Sequence, residues 1–261
     1  MKGFLEEYGL IIVVVAVILL MLLFGKSGYA KSIQDAILGS TNHIVETGEN
    51  ITKKEVHVTP GDTLDIEGTK YVVLEQKENN QGLVMTENSI VWKEFQSNCD
   101  KNTYLRPDGQ NANTYEGSEI DNYLENEWYN SLSSRMKAAI QPTNIKQASY
   151  ADWNDPDTKQ ETGPDDQVYN TISRHAFLPS VSEAEKAVDL KNKDKMKAFL
   201  KDRDIWTRDS TKELAYGAEY LGASSGSLSC GIVYSKSNVR PAFVIDLSKV
   251  DYKVAGHTDY K

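Results

Sequence analysis

No P-loop, no G-x-G-x-x-G after a strand, no H-E-x-x-H and no C-x-x-C occurs in this chain. Phosphate-cradling, dinucleotide-binding, zinc-protease and dithiol chemistries, which need those spacings, therefore have no local signature here. Histidine is scarce: His43, His57, His175 and His257 are the four present, and they are scattered. His175 reads as a surface or core-edge residue rather than a base. Cysteine is scarcer, and Cys99 and Cys230 fit either one disulfide or two free thiols. Positive charge is in deficit, with 29 Lys and Arg against 38 Asp and Glu and a net charge of −9. Phosphates would be repelled, so nucleic acid is not an expected partner. The reading is non-enzymatic, with no catalytic residue and no cofactor.

What is present begins with an unbroken apolar run from Leu10 to Phe24. At about 1.5 Å per helical residue it covers about 22 Å of a hydrocarbon core of about 30 Å, and its flanks extend it to the interfaces. A membrane span is expected, with membrane lipid as its partner. The three fates open to it are an uncleaved anchor, a cleaved signal ending near Gly28-Tyr29-Ala30, and a pilin-like segment. Gly3 followed by Phe4, Leu5, Glu6, Glu7 and Tyr8 resembles the processing region of Tad-type (Flp) pilins. In that family a peptidase cuts after glycine and a Glu-Tyr pair opens the helix. The resemblance implies processing at Gly3 and Phe4, with Glu7 and Tyr8 inside the assembly. The departures are one residue too few between Gly3 and Glu7 and a chain far longer than those pilins. Lys2 on one side and Lys26 and Lys31 on the other leave orientation open.

Tyr29, Ile33, Ile37 and Ile44 fall near one helical face, extending the helix as a stalk to about residue 46. That stripe packs on the domain or supports self-assembly with another copy. Residues 47–60 read as a polar linker ending at Pro60-Gly61-Asp62. Short β-type runs follow at Thr63 to Ile66, Thr69 to Glu75 and Gly82 to Thr86. Lys70 to Leu74 alternates only loosely, as a strand buried on both faces would. Ser118 starts a helix through Trp128, and a second carries Leu132, Met136 and Ile140 to a stop at Pro142. Ser182 with Glu185 reads as a capping box opening a helix to Leu190, and Val239 to Leu247 as the last strand.

Several of these segments, in one order, carry a resemblance spanning about residues 61–250. They are G-D-T-L-D-I-E-G-T-K-Y-V-V-L from Gly61, Tyr123-Leu124 with Trp128-Tyr129, Phe177 to Ala184, Ile205 to Ser210, and Asn238-Val239-Arg240-Pro241-Ala242-Phe243. The chain resembles domain-of-unknown-function family 6273, common in surface and secreted proteins of gut Firmicutes. That family is itself similar in outline to C-type-lectin-like and sulfatase-modifying folds. Thr207 stands for a leucine and Asn238 for a glycine of its pattern. Sulfatase-modifying enzymes use a closely spaced cysteine pair; Cys230 has no near partner, so that activity is not carried over. From the residues themselves, Trp206 suits a plug at the core edge, and Arg208 and Arg240 suit the holding of buried loop carbonyls or a carboxylate.

The expected fold is α+β: a transmembrane and stalk helix over 1–46, a linker over 47–60, one C-type-lectin-like (sulfatase-modifying-factor-like) domain over 61–255 and a tail over 256–261. The expected function is membrane-anchored, adhesin-like recognition of a glycan or protein ligand at the cell surface, with the domain outside the cytoplasm. The alternative is a pilin-like structural subunit of a Tad-type pilus or secretion apparatus. The Ser- and Gly-rich stretch from Leu221 to Lys236 reads as an adaptable loop between rigid motifs. Its candidate ligand-binding residues, with those just before it, are Tyr216, Tyr220, Ser224, Ser225, Ser227, Tyr234 and Lys236. Asp152, Asp155, Asp157, Glu161, Asp165 and Asp166 lack a coherent calcium spacing, so the acidic stretch reads as a solvated loop and no metal is expected.

Overall fold

The computed structural model describes residues 56–261. The expected membrane and stalk helix (1–46), most of the linker, and the processing residues Gly3, Phe4, Glu7 and Tyr8 lie outside the described residues. From Val56 to Lys261 the chain is one unit.

Four strands come first: β1 (Asp62–Ile66), β2 (Thr69–Gln76), β3 (Gln81–Thr86) and β4 (Val91–Glu94). The turn joining β1 to β2 has positive φ at both Glu67 (52°) and Gly68 (80°). That is the primed geometry whose twist suits a two-residue hairpin. Ser118 then caps a helix, accepting from Asp121 N at 3.2 Å. The helix runs as α1 (Glu119–Asn122), a π-helical stretch (Tyr123–Trp128) and a last turn, α2 (Tyr129–Ser131). After it come α3 (Ser134–Ala139), β5 (Ile140–Gln141), β6 (Thr143–Lys146), β7 (Ser149–Tyr150), β8 (Lys159–Gln160) and β9 (Thr171–Arg174). Two helices follow, α4 (Val181–Ala187) and α5 (Lys193–Leu200). The chain closes with β10 (Ile205–Thr211), β11 (Gly217–Gly222), β12 (Ser227–Ile232), β13 (Lys236–Val239), β14 (Ala242–Asp246) and β15 (Tyr252–His257).

The α+β expectation, a stalk helix leading a lectin-like domain, is corrected by this architecture. Two large sheets dominate the described residues, the helices are few and short, and none of them is long and apolar enough to cross a membrane. One sheet has the order β15-β1-β2-β3-β14-β5. The other runs β12-β11-β10-β13-β4 with β7 and β8 attached, and β6 pairs with β9 apart from both. Strands were under-read because so many carry polar residues. In β10 the run Thr207-Arg208-Asp209-Ser210-Thr211 is buried throughout, so it shows no apolar alternation to read. The stretch expected as a loop from Leu221 to Lys236 is mostly strand, shared between β11, β12 and β13.

The first sheet is covered on both faces, which explains the loose alternation of β2. Val72 and Leu74 enter the main core, while Tyr71 and Val73 enter a second cluster with Met136, Phe243 and Ile245. Covering one face of a sheet leaves alternate residues wet; covering both makes every residue apolar. The main core also holds α4, α5 and the second sheet through Val181, Phe199, Ile205 and Trp206.

Irregular connections are tied by buried polar groups. Arg208 donates to Lys146 O (2.9 Å) and Leu178 O (3.0 Å), and grips Glu183 with both terminal nitrogens. Arg240 donates to Thr86 O (2.6 Å) and Phe199 O (3.0 Å). Asp209 accepts from Ala148 N at 2.9 Å and Val181 N at 2.7 Å. Buried loop backbone must find partners, and these side chains supply them. Trp206, 1% exposed, sends its indole N–H to Lys93 O at 3.0 Å. Its ring lies so close to Gly231 that a Cβ there would stand 2.8 Å from Trp206 Cη2. The residues expected as a tail close the domain instead. β15 pairs with β1, and Tyr260 is buried against Phe199.

Candidate functional site

Strand β4 lies at the rim of the second sheet and has four residues, of which Val91 packs toward the main core. Period-two alternation then turns Trp92 to the opposite side, where it is 64% exposed, the most exposed aromatic among the described residues. Asn238 of β13 is its direct cross-strand neighbour, and Lys236 faces Glu94 two register positions along, on the same side of the sheet. The Lys236 ammonium stands 5.7 Å from the Trp92 ring centroid and 3.7 Å from Glu94 Oε1.

Trp92 forms one wall of a cleft of about 570 Å³. Its floor is organised by Asp204, at the entry to β10. The main-chain oxygen of Asp204 accepts from Ser237 Oγ (3.1 Å) and Asn238 Nδ2 (3.0 Å). Its carboxylate accepts from Ala223 N at 2.7 Å. One residue thus fixes three walls: the loop after α5, the β11–β12 turn and β13. The loop before it is tightly wound, with Lys201 (φ 53°) and Asp202 (φ 60°) both left-handed without being glycine, a costly geometry that packing must hold. Lys197, Asp202, Arg203, Ser224 and Lys236 complete the lining.

The seven sequence-expected residues do not form one surface. Ser224 and Lys236 line the Trp92 cleft. Tyr216 lines a separate cleft of about 510 Å³ with Asp165, Asp166 and Lys212, its ring 4.3 Å from that of Tyr104. Tyr220 meets Trp206 edge-on at 6.0 Å and is partly buried against the main core, as is Tyr234. Ser225 and Ser227 bond one another at 2.9 Å within the β11–β12 turn. Sequence reasoning missed Trp92, Asp202, Arg203 and Asn238. The signal for Trp92 was V-W-K-E itself: alternation around Val91, partly buried against the main core, leaves the indole with Glu94 on the polar side.

Elsewhere the polar clusters hold structure together. Glu125, on the π-helical stretch, accepts from His175 N and meets His175 Nδ1, each at 2.8 Å. Tyr129 stacks on that imidazole at 4.5 Å, and Arg174 forks onto buried Asp121. In the acidic stretch, Asp157 pairs with Lys191 (2.9 Å) and Glu161 with Lys146 (2.7 Å). Asp152 and Asp155 accept from the main-chain N–H groups of Asn154 and Asp157. Cys99 and Cys230 are separate free thiols, and burial pushes the Cys230 thiol up to about 11. His257, expected outside the domain, sits on β15 and meets Asp62 Oδ1 at 2.8 Å. A family model described as Domain of unknown function (DUF6273) matches residues 79–247. No curated protein and no solved structure matches the chain.

Proposed function

This chain belongs to the DUF6273 family, and on that premise we propose that its domain is a non-catalytic recognition module of the cell surface, binding through the Trp92 cleft. The family's description assigns no activity, and a function is carried by a site rather than by a fold. The observation that carries it is the exposure of Trp92 beside a cleft of about 570 Å³. Beyond its contact with Lys236, a short edge strand gains little in stability by holding an indole in water, and a flat apolar face beside a cleft with polar groups suits contact with a ligand. The supporting geometry is rigid: Asp204 ties three walls, so binding orders little that is not already ordered. Presentation outside the cytoplasm is part of the proposal and draws on the apolar run at Leu10 to Phe24.

The test is adhesion of the full chain to immobilised mucin and to isolated cell-wall sacculi. Trp92→Ala should abolish adhesion by at least tenfold with an unchanged melting temperature. Undiminished adhesion of that variant, or no adhesion of the wild type to either surface, contradicts the reading.

A further inference from the structure

We infer that the Trp92 cleft takes a neutral glycan, one sugar ring lying on the exposed indole and its hydroxyls bridging the charged rim. This deepens the recognition reading above and rests on it. The charge around the cleft decides the ligand class. Lys197, Arg203 and Lys236 contribute three positive charges to the lining, and Asp202 and Asp204 two negative ones. Glu94, 3.7 Å from Lys236, brings the immediate surroundings to balance. An anionic ligand would meet three carboxylates and a cationic ligand three cations, so either loses in repulsion much of what it gains in attraction.

A polyol loses nothing in this way. Each hydroxyl donates one hydrogen and accepts two, so it satisfies ammonium and guanidinium donors and carboxylate acceptors at once. Ser224 adds a group of the same double character, and Arg203 a planar fork suited to neighbouring hydroxyl oxygens. The indole supplies the remaining requirement, a flat apolar face for the C–H side of a pyranose ring. Trp92 is exposed enough, at 64%, to be covered by a ring-sized group. The cleft lies within the about 300–1,000 Å³ range of small-ligand sites, enough for a short stretch of a chain rather than one small ion. A peptide is less well matched, since its main chain presents separate donors and acceptors, and the one edge strand in the lining, β4, is only four residues long.

The experiment is an array of neutral oligosaccharides (glucans, mannans, galactans) and acidic ones (sialylated chains, oligogalacturonates), probed with the full chain, Trp92→Ala, Trp92→Phe and Arg203→Ala. The expected result is binding to at least one neutral glycan, lost at least tenfold in Trp92→Ala and partly kept in Trp92→Phe. It should change less than twofold between 0.05 and 0.5 M salt, because no net charge is being neutralised. Binding confined to acidic glycans, falling steeply with salt and in Arg203→Ala, overturns the ligand class while leaving the recognition reading intact. No binding to any glycan, alongside Trp92-dependent adhesion to mucin or sacculi, does the same. Glycan binding that survives Trp92→Ala overturns both.

Discussion

At the residue scale the least comfortable group in the domain is Glu219. It is wholly buried on β11, its Oε1 accepts from Thr211 Oγ1 at 3.0 Å, and its Oε2 has no partner among the described residues. Burial raises its pKa from an ordinary 4.5 to about 8, opposed by the Thr211 hydrogen bond. A raised carboxyl pKa means the folded state holds the proton more tightly than the unfolded chain. Its stabilisation is complete below about 4.5 and is lost as pH rises towards about 8. Melting of the wild type should therefore fall between pH 5 and pH 8.5 by the equivalent of a few kcal/mol. Glu219→Gln, which fixes the neutral state, should flatten most of that slope. Parallel slopes in thermal scans of the two proteins would refute the assignment. Nothing in the sequence singles out Glu219, because a charged residue in a strand is ordinarily read as solvent-facing. Trp206 and Arg240 were legible as buried framework from their motifs, whereas Trp92 was passed over in a strand of only four residues.

At the element scale, legibility followed apolar pattern and failed where polar residues were buried. The first three strands and the Ser118 cap were readable because hydrophobic runs and turn residues bounded them. The helix α4 shows the intermediate case. Ser180-Val181-Ser182-Glu183-Ala184-Glu185 contains two overlapping S-x-x-E boxes, and local sequence alone favours neither. The structure uses the first: Ser180 Oγ accepts from Glu183 N at 3.0 Å, and Glu183 accepts from Ser180 N at 2.9 Å. The box expected at Ser182 and Glu185 is therefore shifted by two residues. The long-range reason is Arg208, whose fork grips Glu183 and anchors the helix start to β10. Ser180→Ala should cost about 1 kcal/mol through the lost cap, and Ser182→Ala less than about 0.5 kcal/mol. Urea unfolding of both variants checks this, and a larger loss for Ser182→Ala would reverse the assignment.

At the scale of the whole molecule, the two ends of the described chain meet the sheets rather than trailing from them. β15 pairs with β1, Asp189 N donates to Tyr260 O at 2.9 Å, and Lys261 Nζ donates to Glu185 O. The Tyr260 ring lies 5.3 Å from Phe199, which in turn stacks under the Arg240 guanidinium at 5.2 Å. The last residues thus brace α4, α5 and the buried arginine together. Tyr260→Ala should destabilise the domain by about 3 kcal/mol, in the range for removing a buried aromatic. A change under about 0.5 kcal/mol in denaturant unfolding would show the brace to be incidental. A polar hexapeptide read as a tail gives no hint of this, since its partners lie far away in sequence, 76 residues from Lys261 to Glu185 and 195 from His257 to Asp62.

The same long-range assembly builds the Trp92 cleft, whose walls come from β4, the loop after α5, the β11–β12 turn and β13. The most direct test uses the four tryptophans of the chain as separate reporters, by incorporating 5-fluorotryptophan and assigning the Trp92 resonance with Trp92→Phe. The protein is then titrated with a mixture of soluble neutral glucan, mannan and galactan oligosaccharides and followed by fluorine NMR. The account predicts that the Trp92 resonance shifts in a saturable way while that of buried Trp206 stays in place. A stationary Trp92 resonance, whether or not another tryptophan moves, would contradict it.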